Sequence, residues 1–349
     1  MVEKVEDGQG RVEAAEVVAA ARAGDEAAFG VLTDGYRREL QIHCYRMLGS
    51  FEDAEDLVQE TFLRAWRRRE TFEGRSTFRA WLYRIATNAC LDFLDRNPRS
   101  PRARQEPVLA DPGAPAPAPT EVMWLQPYPD RLLEPVAGRD AEPDATVVAK
   151  ETIELAFLAA IQHLPARQRA VLILRDVLGW PAKETAELLS TSVTAVKSAL
   201  QRARPALKEH LPPRRSEWTP SKDPTREERA VLQRYIDAVE QADPAILAGV
   251  LRDDAWQTMP PQPIWIRGGK AIVEAWTPAM VGPEAWGDWR VLPTWANRQP
   301  VAAAYLRKAG DSAYRPSWLG VLRVEDGLIA EITTFGDQYF PLFGLPPAL

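Results

Sequence analysis

AKETAELLSTSVTAVKSALQRAR, residues 182–204, reads as two short helices around a tight break. AKETAELL (182–189) forms the first, and Pro181 suits its start because the missing N–H has no intrahelical partner there anyway. Ser190-Thr191-Ser192 interrupts it, and Ser192 is a good N-cap for the second helix. That helix carries Val193, Val196, Leu200, Ala203 and Leu207 at spacings of three and four, one apolar stripe. Its other face presents Thr194, Lys197, Ser198, Gln201, Arg202 and Arg204. A short helix, a tight turn and a polar-faced second helix is the geometry that lays a row of side chains into the DNA major groove. Lys and Arg serve phosphates or guanine edges there, and Gln201 suits a base edge. Pro205 lacks the N–H that would bond the Gln201 carbonyl, which predicts a kink or an end near Arg204.

Working outward, charge is segregated. Residues 62–104 hold eleven arginines against four carboxylates, and residues 167–215 hold ten Lys/Arg against four. Between them, residues 106–154 hold ten carboxylates against three basic groups. Two basic blocks are the footprint of a polyanion binder, despite a net charge of −6 for the whole chain.

The first basic block has two parts. DAEDLVQETFLRAWR (53–67) keeps Leu57, Val58, Phe62, Leu63 and Trp66 for a core, with Asp53, Asp56, Gln59, Glu60 and Arg64 largely on other faces. An acidic stripe of this kind is a solvated face or a docking face for a basic partner. TFEGRSTFRAWLYRIATN (71–88) interleaves aromatics with arginines: Phe72, Arg75, Phe78, Arg79, Trp81, Tyr83 and Arg84. Arginines neutralise phosphates, and aromatics stack on unpaired bases for about 1–3 kcal/mol each. The same spacing also serves an amphipathic core helix, which accounts for about half of the aromatics.

The chain has 349 residues, enough for two or more domains. No apolar run is long enough to span a membrane, and the N-terminus is acidic and polar, unlike a secretory signal. Cys44 and Cys90 are two isolated thiols; with three histidines they make neither a disulfide framework nor a zinc cluster, so no metal and no cofactor are expected. A reducing cytoplasm fits. Residues 98–143 carry eleven prolines and read as a linker, yet EVMWLQPYPDRLLEP (121–135) is apolar enough to dock on a folded surface. PPRRSEWTPSKDP (212–224) is a second linker. Beyond it lie a helix near 226–242 and strands near 288–296, 299–308, 318–326 and 328–336. Eight of the twelve tryptophans lie from Trp218 onward, so this tail buries aromatic surface of its own.

These segments together resemble the extracytoplasmic-function (ECF) class of bacterial sigma-70-type factors. Residues 53–94 are similar to their region 2, and LPARQRAVLILRDVLGWPAKETAELLSTSVTAVKSALQRAR (164–204) to their region 4. The departures are Ala199, where many members carry Arg, and Ser190, where many carry Gly. The resemblance implies a multidomain chain: an all-α region 2 at 11–97, a Pro-rich acidic linker at 98–145, an all-α helix-turn-helix region 4 at 146–211 and a linker at 212–224. Residues 225–349 resemble the SnoaL-like family, an α+β cone or barrel with a pocket inside. The implied function is promoter-specific transcription initiation with RNA polymerase core and promoter DNA as partners. Asp53, Asp56, Gln59, Glu60 and Arg64 would meet the polymerase clamp. Phe72, Arg75, Phe78, Arg79, Trp81, Tyr83, Arg84 and Asn88 would melt and read the minus-ten element. Thr194, Lys197, Ser198, Gln201, Arg202 and Arg204 would read the minus-thirty-five element. A separate anti-sigma factor is compatible with this organisation and not required by it.

In the tail, Tyr235, Trp256, Met259, Trp265 and Trp276 are candidates to line a pocket for a small molecule. The three histidines lie outside it, so an enzyme there would rely on Tyr235, Asp237, Asp254, Asp288 or Asp337 as acid or base. The expectation is a regulatory module, not a catalyst. Two alternatives stand: a tail with working cyclase- or isomerase-like chemistry, and a plain helix-turn-helix operator binder. The latter leaves 53–67 and 71–88 without a role.

Overall fold

The computed structural model describes residues 16–72, 77–98, 109–110, 122, 124–133, 153–211 and 225–349. Arg75, most of the 98–145 linker, the 212–224 linker, and residues 11–15 and 146–152 lie outside the described residues. The chain divides into two compact units. Among the described residues no helix is long and apolar enough to cross a membrane.

The first unit is helical: α1 (16–23), α2 (Glu26–Asp34), α3 (Arg37–Leu48), α4 (Phe51–Arg67), α5 (Phe78–Arg96), part of α6 (Leu155–Gln162), α7 (Ala166–Leu172), α8 (Ala182–Leu188) and α9 (Val193–His210). Some of these starts carry a side-chain cap. Ser50 Oγ accepts from Asp53 N–H at 3.2 Å ahead of α4, and Thr77 Oγ1 accepts from Ala80 N–H at 3.2 Å ahead of α5. α4 buries Phe51, Ala54, Leu57, Val58, Thr61 and Ala65, the three-and-four stripe that packs it on α3 and α5. Cys44 and Cys90 are free thiols, both buried in this core. A five-residue π-helical turn (Ile173–Val177) leads from α7 toward α8.

The turn between α8 and α9 gives Ser190 a φ of +51°, the left-handed region where glycine is favoured, which explains the glycine at this place in many members. Of the kink or end expected near Arg204, the end does not occur: α9 runs through Pro205 to His210. One backbone bond is forfeited there, while buried Val196, Leu200 and Ala203 hold the helix from one side and the Arg204–Asp176 ion pair from another. Ala199 also lies on the buried side, so a change at this position acts first on packing.

The second unit is α+β. Thr225 and Glu228 form a reciprocal capping box that starts α10 (Arg226–Glu240). α11 (Pro244–Val250) and α12 (Gly269–Met280) follow. The strands are β1 (Leu109–Ala110), β2 (Leu251–Met259), β3 (Gln262–Arg267), β4 (Asp288–Ala296), β5 (Gln299–Arg307), β6 (Arg315–Glu325) and β7 (Leu328–Gly336). They form one mixed sheet in the order β1-β3-β2-β7-β6-β5-β4. β2 lies parallel to β7, and β4 to β7 form an antiparallel meander. Register shifts in β2, β5 and β6 provide the local bends that curve a sheet. Apolar side chains of α10, α11, α12 and the inner sheet face make the core. β5 is buried along nearly its whole length because its other face is also covered: Tyr305 stacks on Phe340 at 5.0 Å and donates to the Pro346 carbonyl at 2.9 Å.

The apolar linker piece docks in this unit. Val122, Leu125, Tyr128 and Leu133 are buried. Asn297, at the tip of the β4–β5 hairpin, accepts from Tyr128 N–H at 2.8 Å through Oδ1, while its own N–H donates to the Tyr128 carbonyl at 2.9 Å. Its Nδ2 donates to the Ile153 carbonyl at 2.7 Å, and Gln299 Oε1 accepts from Leu155 N–H at 3.0 Å. Asp130 accepts from Arg298 N–H at 2.9 Å.

Candidate functional site

On α9, Ser192 Oγ accepts from Ala195 N–H at 3.1 Å, the cap expected from the sequence. Thr194, Lys197, Gln201 and Arg202 are exposed along one side. Ser198 is half-buried and accepts from Arg202 Nη1 at 2.9 Å. Arg204 is placed differently: its guanidinium grips Asp176 through two bonds of 2.9 Å, tying α9 to the π-helical turn. The row therefore offers Lys197 and Arg202, which have no ion-pair partner among the described residues, on either side of the neutral Gln201.

On α4, Asp56 and Gln59 are exposed and Asp53 is half-buried near the cap. Glu60 pairs with Arg64 at 2.8 Å, and Arg64 reaches Asp92 of α5 at 2.9 Å. Hydrogen bonds that it donates to Glu60 and Asp92 hold the Arg64 guanidinium above its ordinary pKa, so it is committed as a tie between helices.

α5 sorts its aromatics and arginines into two sets. Phe72, Phe78 and Trp81 form a cluster with centroids 5.4–5.5 Å apart, and Phe72 and Trp81 are buried. Tyr83 is buried against His43 at 4.9 Å and Trp180 at 5.1 Å. Arg79 pairs with Glu39 at 2.9 Å and lies over the Tyr83 ring at 5.1 Å. Burial raises the Glu39 carboxyl despite Arg79, and burial raises the Tyr83 phenol. Arg84 and Asn88 face solvent, and Phe78 is half-exposed. Of the residues assigned to melted-strand contact, these three are presented, while Phe72, Arg79, Trp81 and Tyr83 are engaged inside the unit. The interleaved pattern carries both roles because a three-and-four spacing of aromatics is also what a core helix needs.

Several residues escaped sequence reading. Arg169 is 3% exposed and donates to the carbonyls of Met47, Gln162 at 2.9 Å and Leu164 at 3.1 Å. Gln162 in turn donates to the Arg46 carbonyl at 3.2 Å. A buried arginine in LPARQRA has no sequence signal, because its partners are backbone carbonyls and the Gln162 side-chain oxygen, and one of them, the Met47 carbonyl, lies on a helix distant along the chain.

The second unit holds an apolar cavity whose lining includes Tyr235, Gln257, Trp276, Trp289, Trp318 and Thr334. Trp276 Nε1 donates to Gln257 Oε1 at 2.6 Å, and Gln257 Nε2 donates to Thr334 Oγ1 at 3.1 Å. Burial alone raises the Tyr235 phenol, which stays neutral. Tyr235 and Trp276 are thus where the sequence put them. Trp256, Met259 and Trp265 are not in the lining: strand side chains alternate between faces, so beside inward-pointing Gln257 the Trp256 ring turns away and lies under Arg267 at 5.0 Å, while Met259 packs against the core outside the cavity. Trp289 and Trp318 were missed for the same reason, since nothing in the sequence says which tryptophans share a face. Asp237, Asp254 and Asp288 are held by Gln233, Arg252 and Arg307 at 2.6–2.8 Å, and neither they nor exposed Asp337 line the cavity.

A helical unit with a capped helix-turn-helix and an acidic-faced α4, followed by an α+β cone, defines a multidomain DNA-binding initiation factor. Residues 32–100 match sigma-70 region 2, residues 154–207 match sigma-70 region 4, and residues 232–332 match the SnoaL-like domain. The ECF RNA polymerase sigma factor SigG of Mycobacterium tuberculosis is 42% identical over 343 residues, covering 94% of this chain and 86% of the relative. SigW of Bacillus subtilis, another ECF sigma factor, is 31% identical over 188 residues, covering 54% of this chain and 91% of the relative. The crystal structure of the Mycobacterium tuberculosis ECF sigma factor SigJ shares the fold, with a TM-score of 0.53 and 23% identity over 89% of this chain and 97% of that one. The chain belongs to the ECF RNA polymerase sigma factors, and it carries a C-terminal SnoaL-like domain.

Proposed function

We propose that this sigma factor gives a cytoplasmic RNA polymerase core its promoter selectivity, and that the SnoaL-like tail modulates that activity without catalysing a reaction. The exposed row Thr194, Lys197, Gln201 and Arg202 on the Ser192-capped helix carries the reading, with Ser198 bracing Arg202. This row meets the minus-thirty-five element. Asp53, Asp56, Gln59 and Glu60 dock α4 on the polymerase clamp, and Arg64 positions that helix. Phe78, Arg84 and Asn88 lie nearest the melted minus-ten strand, and Arg75 belongs to the same assignment. The domain limits inferred from the sequence, 11–97, 146–211 and 225–349, describe the working parts. A cavity lined by tryptophans with, among the described residues, no ionisable acid or base besides a neutral phenol favours sensing over chemistry.

The experiment is run-off transcription with bacterial core polymerase on a genomic promoter library, comparing residues 1–349 with 1–216. Selective initiation by either form supports the reading, and the ratio of yields gives the sign of the tail's effect. Absence of any core binding overturns it in favour of a plain operator binder, and equal yields overturn modulation by the tail.

A further inference from the structure

Arg204 stands apart from the other basic residues of α9. Seven residues beyond Lys197, it falls within about 20° of Lys197 around the helix axis and about 10 Å further along it. It therefore belongs to the same face as Lys197, and its side chain is 61% exposed. Its guanidinium is nonetheless taken: Nε donates to Asp176 Oδ2 and Nη2 to Asp176 Oδ1, each at 2.9 Å. Two parallel bonds of this kind are also what an arginine makes to two oxygens of a phosphate. Asp176 is held firmly in place. It lies in the wide turn Ile173–Val177, where the Leu178 N–H donates to the Ile173 carbonyl at 2.9 Å. Ile173, Leu174 and Val177 of that turn are buried, while the Asp176 carboxylate is left at the surface, 32% exposed. Wide turns of this type recur at functional sites.

On the reading of α9 as the helix that meets the minus-thirty-five element, we propose that Asp176 is a phosphate surrogate, which withholds Arg204 from DNA and so limits the sequence-independent affinity of region 4. Stability alone is a poor reason for the pair, because exposed ion pairs contribute little and buried Val196, Leu200 and Ala203 already seat α9. Its effect on DNA is larger. Each phosphate neutralised by a basic side chain releases condensed counterions and adds about 0.9 to the salt slope of binding. Arg204, bonded to a carboxylate, adds none. Phosphate contacts carry no sequence information, whereas base edges do. Withholding one arginine therefore weakens binding to every duplex by the same factor and leaves the base-reading row Thr194, Lys197, Gln201 and Arg202 untouched. The free factor is thereby kept from lodging on DNA at large.

The test is fluorescence anisotropy with the full chain across a salt series, on an upstream duplex taken from the run-off transcription library and on a scrambled duplex of the same length. Asp176→Asn is expected to tighten binding to the scrambled duplex about threefold and to steepen the slope of log affinity against log salt by about 0.9. Arg204→Ala alone should leave the native slope unchanged. Combining the two substitutions should abolish the steepening. The proposal is overturned by an Asp176→Asn chain that binds no more tightly, or by an Arg204→Ala chain whose slope falls by about 0.9, which would put the arginine on DNA in the native protein. Steepening that survives in the double variant overturns it too, because the lost carboxylate charge would then suffice. Should Asp176→Asn fold poorly, nitrogen–proton spectra of the native chain give an independent reading: the Arg204 Nε–H signal stays in place when the scrambled duplex is added, and a signal that moves overturns the proposal. Preference of the native chain for the upstream over the scrambled duplex tests α9 as a reader separately. Equal binding of the two duplexes would remove that reading and leave the Asp176 result standing.

Discussion

His43 shows how one residue couples the helical core to pH. It is fully buried beside Tyr83, its Nε2 lies 2.9 Å from Thr87 Oγ1, and burial, then Arg46 and Arg79, push its pKa down to about 3. The unfolded chain protonates this imidazole near pH 6.5 and the folded one does not, so stability falls as pH drops from about 6.5 toward 3. Between pH 7 and pH 5 this group alone should remove about 2 kcal/mol from the unfolding free energy. Glu39, with its raised carboxyl, contributes with the opposite sign at the acid end of that window. Urea titrations of the native chain and His43→Gln at both pH values isolate the histidine: the loss on acidification should shrink by about that amount in the variant. An equal loss in both would place the acid sensitivity elsewhere.

At the scale of the element, α9 is held at its start and again in its second half. Ser192 caps its start, and Arg204 is paired with Asp176. On the proposed reading the phosphate contacts fall to Lys197 and Arg202. Replacing both by alanine should lower the slope of log affinity against log salt by about 2 on an upstream promoter duplex, as fluorescence anisotropy would record. An unchanged slope, with only melting downstream affected, would mean the two basic blocks have exchanged roles. α4 and α5 were legible as helices from their apolar spacing, yet the fate of their polar residues was not. In the sequence Arg64 reads as part of a docking face and Arg79 as a phosphate contact; in the fold they are ion-paired to Glu60 and Asp92 and to Glu39.

At the scale of the whole molecule, the second unit is built from distant pieces of chain. Asn297 is fully buried at the β4–β5 turn and joins Tyr128 and Ile153 to it. Asn297→Ala would strand the Tyr128 N–H and the Ile153 carbonyl and place a Cβ residue at φ +56° without the asparagine's local bonds. The expected cost is about 3 kcal/mol, read as a lower unfolding midpoint and faster proteolysis within 122–133. Asn297→Gly, which tolerates the backbone angle, should recover part of the loss; full recovery would show that the side-chain bonds to the linker matter little.

The sequence by itself determined the elements and their order: the capped helix-turn-helix, the acidic-faced α4, the docking linker piece and a tail meander whose predicted strands near 288–336 fall within a few residues of β4 to β7. Local signals suffice there, because caps, turn residues and apolar period are written within a few positions of where they act. Only the tertiary structure decided which arginines are free, which aromatics are core, that α9 continues through Pro205, and that Trp276, Trp286, Trp289 and Trp318 close one ring. These depend on contacts between residues tens of positions apart, and a buried partner reverses the meaning of a side chain whose own sequence neighbourhood is unchanged.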